Sequence, residues 1–258
     1  MESGGSSVAD RSNLDGDSSV TDESNGLDGY ISRSHERQRM ADLPLEHVHV
    51  RPDEPTDGAP APAVIVLHGR GADERDLLPV AASLPESLHV VSLRAPEPLQ
   101  GGYTWYDLDL SAGGLHQSQP DPTDFERSLR LVEDAIAGAV DAYDLDPDRL
   151  GLLGFSQGAI TSLSLLLESP ARYAWVVGLH GYLPESHSAL TPSEIEGRRV
   201  FVGAGDDDQV IPEHRSAAAA DRLAALGAVV THETYPTGHG IGRDELADVV
   251  TFVESSMS

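Results

Sequence analysis

The sequence predicts an α/β protein with a mostly parallel sheet and helices on both faces. Three observations predict it. Apolar runs at 63–67, 88–93, 150–155, 174–179 and 200–202 read as buried strands. Helix-like segments separate these runs, so the chain alternates β, α, β, α. One strand-to-helix junction carries Gly154-Phe155-Ser156-Gln157-Gly158, a Gly-x-Ser-x-Gly turn in the setting that gives this pattern meaning.

In chain order, residues 1–43 are rich in Ser, Gly and Asp and poor in apolar residues. They bury too little surface to offset ordering entropy and are expected to be a disordered acidic tail. Residues 44–258 are the expected folded domain. Residues 45–51 alternate apolar and polar, as an edge strand does, with His47 and His49 on its exposed face. Residues 77–84 form a short helix between the strands at 63–67 and 88–93. Residues 101–122 read as a long Gly/Pro-containing loop with Tyr103, Trp105 and Tyr106. Thr123 and Glu126 make a capping box for a helix whose stripe is Phe125, Leu129, Val132, Ile136 and Val140. Asp146-Pro147-Asp148 ends that connection, before the central strand at 150–155. Pro212 starts a helix that Gly227 stops, 228–235 is the last strand, and Leu246, Val249, Val250 and Val253 stripe the last helix.

The composition excludes several function classes. The chain has 258 residues, 43 acidic and 17 basic, for a formal charge of −26. Such a surface repels nucleic acid and anionic membranes. Every basic residue is arginine, a pattern that suggests adaptation to high salt, where repulsion is screened within a few ångströms. There is no cysteine, hence no disulfide, thiol chemistry or cysteine-held metal. No signal peptide and no apolar run long enough for a membrane helix are visible, so a soluble cytoplasmic protein is expected, a monomer or homodimer.

A serine hydroxyl is a poor nucleophile at neutral pH and needs a base, itself oriented by an acid. In parallel α/β sheets, site residues gather on loops at the carboxyl ends of strands. The order Ser, then Asp or Glu, then His, each after a strand, is the α/β-hydrolase arrangement. The nucleophile expected is Ser156. Among the eleven histidines His239 has the right place, between Gly238 and Gly240 just before the last helix. The acid comes from Asp206-Asp207-Asp208, and its spacing to Val210-Ile211-Pro212 favours Asp208. His180, at the end of a strand, is a candidate site-lining residue. An oxyanion needs two aimed donors. These are the backbone N–H of Gln157 and, from Leu67-His68-Gly69-Arg70-Gly71-Ala72-Asp73, that of Arg70. Trp105 either forms a pocket wall or pins its long loop, and Ile211 is a second candidate pocket residue. No His-Glu-x-x-His run, calcium loop or nucleotide-binding glycine loop is complete, so no metal or cofactor is expected.

At these residues, together with Arg94-Ala95-Pro96 and Tyr103-Thr104-Trp105-Tyr106-Asp107, residues 60–255 resemble the phospholipase/carboxylesterase group of α/β-hydrolases, which includes acyl-protein thioesterases. The resemblance implies a compact, nearly lidless esterase for short to medium acyl esters or thioesters. It matches the group's nucleophile, acid and base to Ser156, Asp208 and His239, and its oxyanion positions to Arg70 and Gln157. Arg70 departs from the apolar residue of the eukaryotic thioesterases and puts a cation at the mouth, which favours polar or anionic substrates over long acyl chains. The other readings are a thioesterase or lysophospholipase, and a hydrolase fold without catalysis that serves as a binding module.

Overall fold

The computed structural model describes residues 41–52 and 60–258. Of the expected acidic tail, residues 1–40 lie outside the described residues. At its end Leu43 already packs against the core.

The elements in order are β1 (His47–Val50), β2 (Ala61–Leu67), α1 (Leu78–Ala81), β3 (His89–Leu93), β4 (Glu97–Leu99), β5 (Gly102–Thr104), β6 (Leu108–Asp109) and β7 (Gln119–Pro120). Then come α2 (Pro122–Tyr143), β8 (Leu145–Phe155), α3 (Gln157–Glu168), β9 (Trp175–Leu179), α4 (Glu185–Ser188), β10 (Arg199–Gly205), α5 (Glu213–Ala225), β11 (Val229–Tyr235) and α6 (Arg243–Ser256). Seven strands form one sheet in the order β1-β3-β2-β8-β9-β10-β11. Edge strand β1 is antiparallel to β3, and every other pairing is parallel.

The period of two along each strand divides the core into two layers. Ala63, Ile65 and Leu67 of β2 pack with Leu129, Val132 and Ile136 of α2, Ile160 and Leu163 of α3, and Leu223 of α5. Val64 and Val66 of the same strand face the other way, into a layer with Leu78 of α1 and Val249, Phe252 and Val253 of α6. Both layers exclude water, which is why β2 reads as an unbroken apolar run. Each such fully buried aliphatic side chain contributes about 1.5–3 kcal/mol relative to exposure. Among the described residues no helix is long and apolar enough to cross a membrane.

Four local expectations change. Helix α2 is capped by Asp121, whose Oδ1 accepts the N–H groups of Thr123 and Asp124 at 3.0 Å each. Pro122 has no N–H to satisfy and suits the first helical position, so the start falls before Thr123; Glu126 instead pairs with Arg130 one turn on. Asp146-Pro147-Asp148 lies inside β8, beside an irregularity in the register with β2 that accommodates the missing proline N–H. The long loop at 101–122 holds most of two small antiparallel ribbons, β4-β5 and β6-β7.

The fourth change concerns the edge strand. His47 is buried and His49 half-buried, because Tyr143 at the end of α2 covers them. The His49 ring stacks on Tyr143 at 3.7 Å, and its Nε2 lies 3.0 Å from Nδ1 of His89. Burial, and then the neighbouring His89, push the His49 pKa down to about 3. Burial also lowers those of His47, His68 and His89. These groups fold neutral, so the contribution of His49 is complete above the unfolded value near 6.5 and is lost as pH falls toward about 3, and the other three act in the same direction. The melting temperature is expected to fall across that window, and His49→Gln to flatten the fall. Parallel curves for the two proteins would refute this origin.

Candidate active site

Three loops at the carboxyl ends of β8, β10 and β11 meet above the sheet. Ser156 lies between β8 and α3 with φ +54° and ψ −117°, a sparsely populated positive-φ conformation that a non-glycine residue enters at a cost of about 1–3 kcal/mol. Its N–H donates to the Leu179 carbonyl (2.9 Å), while its side chain caps nothing and is free to point outward. The turn is tight enough that a Cβ on Gly158 would lie 1.9 Å from the Leu67 carbonyl oxygen, so α3 starts in backbone contact with the end of β2. That contact seats the loop after β2 against the elbow.

The Ser156 hydroxyl donates to Nε2 of His239 at 2.9 Å. Nδ1–H of His239 donates to Oδ2 of Asp208 at 2.7 Å. Asp206 and Asp207 are exposed, whereas the Asp208 carboxylate is fully buried. Its Oδ1 accepts the N–H groups of Val210 (2.8 Å) and Ile211 (2.9 Å). Burial by itself raises the Asp208 pKa, but bonds from His239, His180, Ile211 and Val210 outweigh it and hold the carboxyl below the usual range. The arrangement keeps His239 with its proton on Nδ1 and Nε2 free to accept one.

The loop after β2 is held from several sides. His68 is buried, with Nδ1 on the Gly69 carbonyl (2.7 Å) and Nε2 accepting the Ala95 N–H (3.1 Å). Trp105 is also fully buried; its indole N–H donates to the His68 carbonyl (2.8 Å). Trp105 therefore pins the loop, with its ring closed off from solvent. The Gln157 side chain accepts from Thr104 Oγ1 and the Trp105 N–H and donates to the Tyr106 carbonyl. Arg70 is exposed, and among the described residues its backbone N–H and that of Gln157 donate to no internal acceptor. Ile211 is 5 % exposed and serves the site through its N–H. An open cleft of about 540 Å³ adjoins the Asp208 side, lined by His116, Asp206, Asp208, Gln209, Pro212, Glu213 and His214. Neither Trp105 nor Ile211 lines it.

The sequence model of the Phospholipase/Carboxylesterase family matches residues 52–257. The chain belongs to this family. Its relatives include "Acyl-protein thioesterase 1" of Candida albicans, 27% identical over 221 residues that cover 78% of this chain and 95% of that one. The protein of the same name from Debaryomyces hansenii is 27% identical over 167 residues, 62% of this chain and 71% of that one. The Bacillus cereus carboxylesterase crystal structure superposes with a TM-score of 0.72 at 23% identity, covering 82% of this chain and 94% of that one. The fold is that of the α/β-hydrolases, and this phospholipase/carboxylesterase family member is an esterase or thioesterase.

Two polar residues of this hydrolase do more than the sequence suggests, His180 in part and Glu245 altogether. His180 is wholly buried with φ +52°, its ring between Asp208 and Glu245. Its position directly after an apolar strand suggested only a lining residue. Glu245 is also wholly buried. Its signal was present: with Val249 and Val253 it falls on the apolar stripe of α6, where a charge needs a partner.

Proposed function

We propose that the protein is a carboxylesterase that cleaves esters of short to medium acyl chains through an acyl-enzyme. Ser156 Oγ attacks the acyl carbonyl carbon as its proton passes to His239 Nε2. The N–H groups of Arg70 and Gln157 stabilise the oxyanion. The carbon–oxygen bond to the alcohol breaks, and His239 returns the proton to that leaving oxygen. Water then attacks the acyl-enzyme, giving its proton to His239. The bond to Oγ breaks, Oγ takes the proton back, and the acid departs. Asp208 holds the imidazolium formed in each half.

The observation that carries this reading is the unbroken row from Ser156 through His239 to Asp208, at 2.9 and 2.7 Å, starting from a strained serine at a helix N-terminus. A thioesterase is the second reading, favoured by the names of the fungal relatives. A panel of p-nitrophenyl esters and matched thioesters of rising chain length, run in dilute buffer and in molar KCl, separates the two and tests the salt adaptation suggested by the −26 charge. The proposal expects faster turnover of the oxygen esters, falling with chain length, and expects Ser156→Ala to lose about 10⁴-fold or more in kcat. Undiminished turnover in that variant contradicts it.

A further inference from the structure

The row of hydrogen bonds does not stop at Asp208. Oδ2 of Asp208 lies 2.7 Å from Nδ1 of His239 and 2.9 Å from Nδ1 of His180. On the other side of the His180 ring, Nε2 lies 3.3 Å from Oε2 of Glu245. The side chains of His180, Asp208 and Glu245 are all fully buried. We propose that His180 is an imidazolium, protonated on both nitrogens, that bridges two buried carboxylates and fixes Asp208 beneath His239. It is a positioning residue for the reaction, and this inference rests on the roles given above to Ser156, Asp208 and His239.

The proton count follows from the partners. Both ring nitrogens face carboxylate oxygens, and an ionised carboxylate only accepts. Asp208 receives four donors, Val210 and Ile211 on Oδ1 and the two histidines on Oδ2, so no oxygen is left to carry a proton. Oε2 of Glu245 already accepts the Gly242 N–H. Two carboxylates held this close and away from water need a cation between them. The ring is that cation. Although burial works against the charge, the bonds to Glu245 and Asp208 outweigh it and raise the His180 pKa.

No other described group competes for the ring. The His239 ring stands perpendicular to it at 5.6 Å, Phe155 at the end of β8 lies at 5.5 Å, and the His180 backbone N–H donates to the Gly203 carbonyl. Space for Glu245 is built into β10: a Cβ at Gly203 would lie 2.3 Å from Glu245 Oε1. Glu245, His180 and Asp208 thus carry charge in the order minus, plus, minus. When His239 takes the serine proton the row gains a second plus and becomes neutral. The oxygen that orients the base is held by a fixed cation instead of by mobile solvent.

The test uses the full chain labelled with ¹⁵N-histidine. At about pH 8, where an ordinary histidine is neutral, one imidazole is expected to show both ring nitrogens protonated. That signal should vanish in His180→Asn, which keeps a donor toward Asp208 but no charge. In Glu245→Gln, which keeps an acceptor for Nε2–H but removes one of the two negative charges, it should survive only to a lower pH than in the wild type. Loss of the cation should also move the acid limb of kcat/KM upward by roughly half to one pH unit in His180→Asn. If no doubly protonated imidazole exists in the wild type at about pH 8, or if the variants melt earlier with an unmoved acid limb, the inference fails. The ring shifts are read without turnover, so they judge His180 even if Ser156→Ala shows that the nucleophile lies elsewhere.

Discussion

Replacing Asp208 by Asn is expected to lower kcat by about four orders of magnitude while KM changes little. The amide is nearly the same size, so the effect is one of donors and acceptors. Asp208 accepts four hydrogen bonds, two from backbone and two from imidazoles. An NH₂ group on the Oδ2 side would face two Nδ1–H donors. On the Oδ1 side it would face the N–H groups of Val210 and Ile211. The least costly escape is for His239 to move its proton from Nδ1 to Nε2, and it can then no longer take the proton of Ser156. Steady-state kinetics on a p-nitrophenyl ester, with a melting curve to confirm the fold, decides the matter. A loss of less than tenfold would mean that Asp208 does not set the tautomer.

Gly158→Ala is expected to destabilise the protein by about 3 kcal/mol or more, a large part of the stability of a typical domain. The added methyl would lie 1.9 Å from the Leu67 oxygen and 2.8 Å from that of His68, both backbone atoms that no rotamer change can move. Helix α3 would have to withdraw from β2, parting the elbow from the loop after β2, so activity should fall with stability. Gly240→Ala is the control, because a Cβ there meets nothing within 4 Å and its φ is not positive. Its cost should stay within about 0.5 kcal/mol. Urea midpoints for the two variants test the contrast; equal midpoints would refute the close-contact argument.

What was legible in the sequence is what short-range chemistry writes there. Apolar runs such as 63–67 announce strands buried on both faces, and the glycines around Ser156 announce a turn that only small residues allow. Choosing Asp208 from three adjacent aspartates used spacing alone, and the structure exposes the other two. What stayed hidden depends on distant partners. His47 and His49 look like an exposed pair until Tyr143, nearly a hundred residues later, covers them. Trp105 reads equally as pocket wall or loop pin until its N–H is found on His68. His180 and Glu245 lie 65 positions apart, and only the adjacency of β9 and β10, with α6 packed over them, brings them together. The cap at Asp121 was missed for a different reason: two capping patterns overlap within six residues, and the proline decides between them.

The central claim is that Ser156 carries the acyl group. The most direct measurement is labelling of the wild-type protein with a fluorophosphonate, followed by proteolysis and mass mapping of the modified peptide. The expected result is one adduct, on Ser156, that is absent from Ser156→Ala and suppressed by prior incubation with an ester substrate. An adduct on another residue, or the same labelling in Ser156→Ala, would contradict the account.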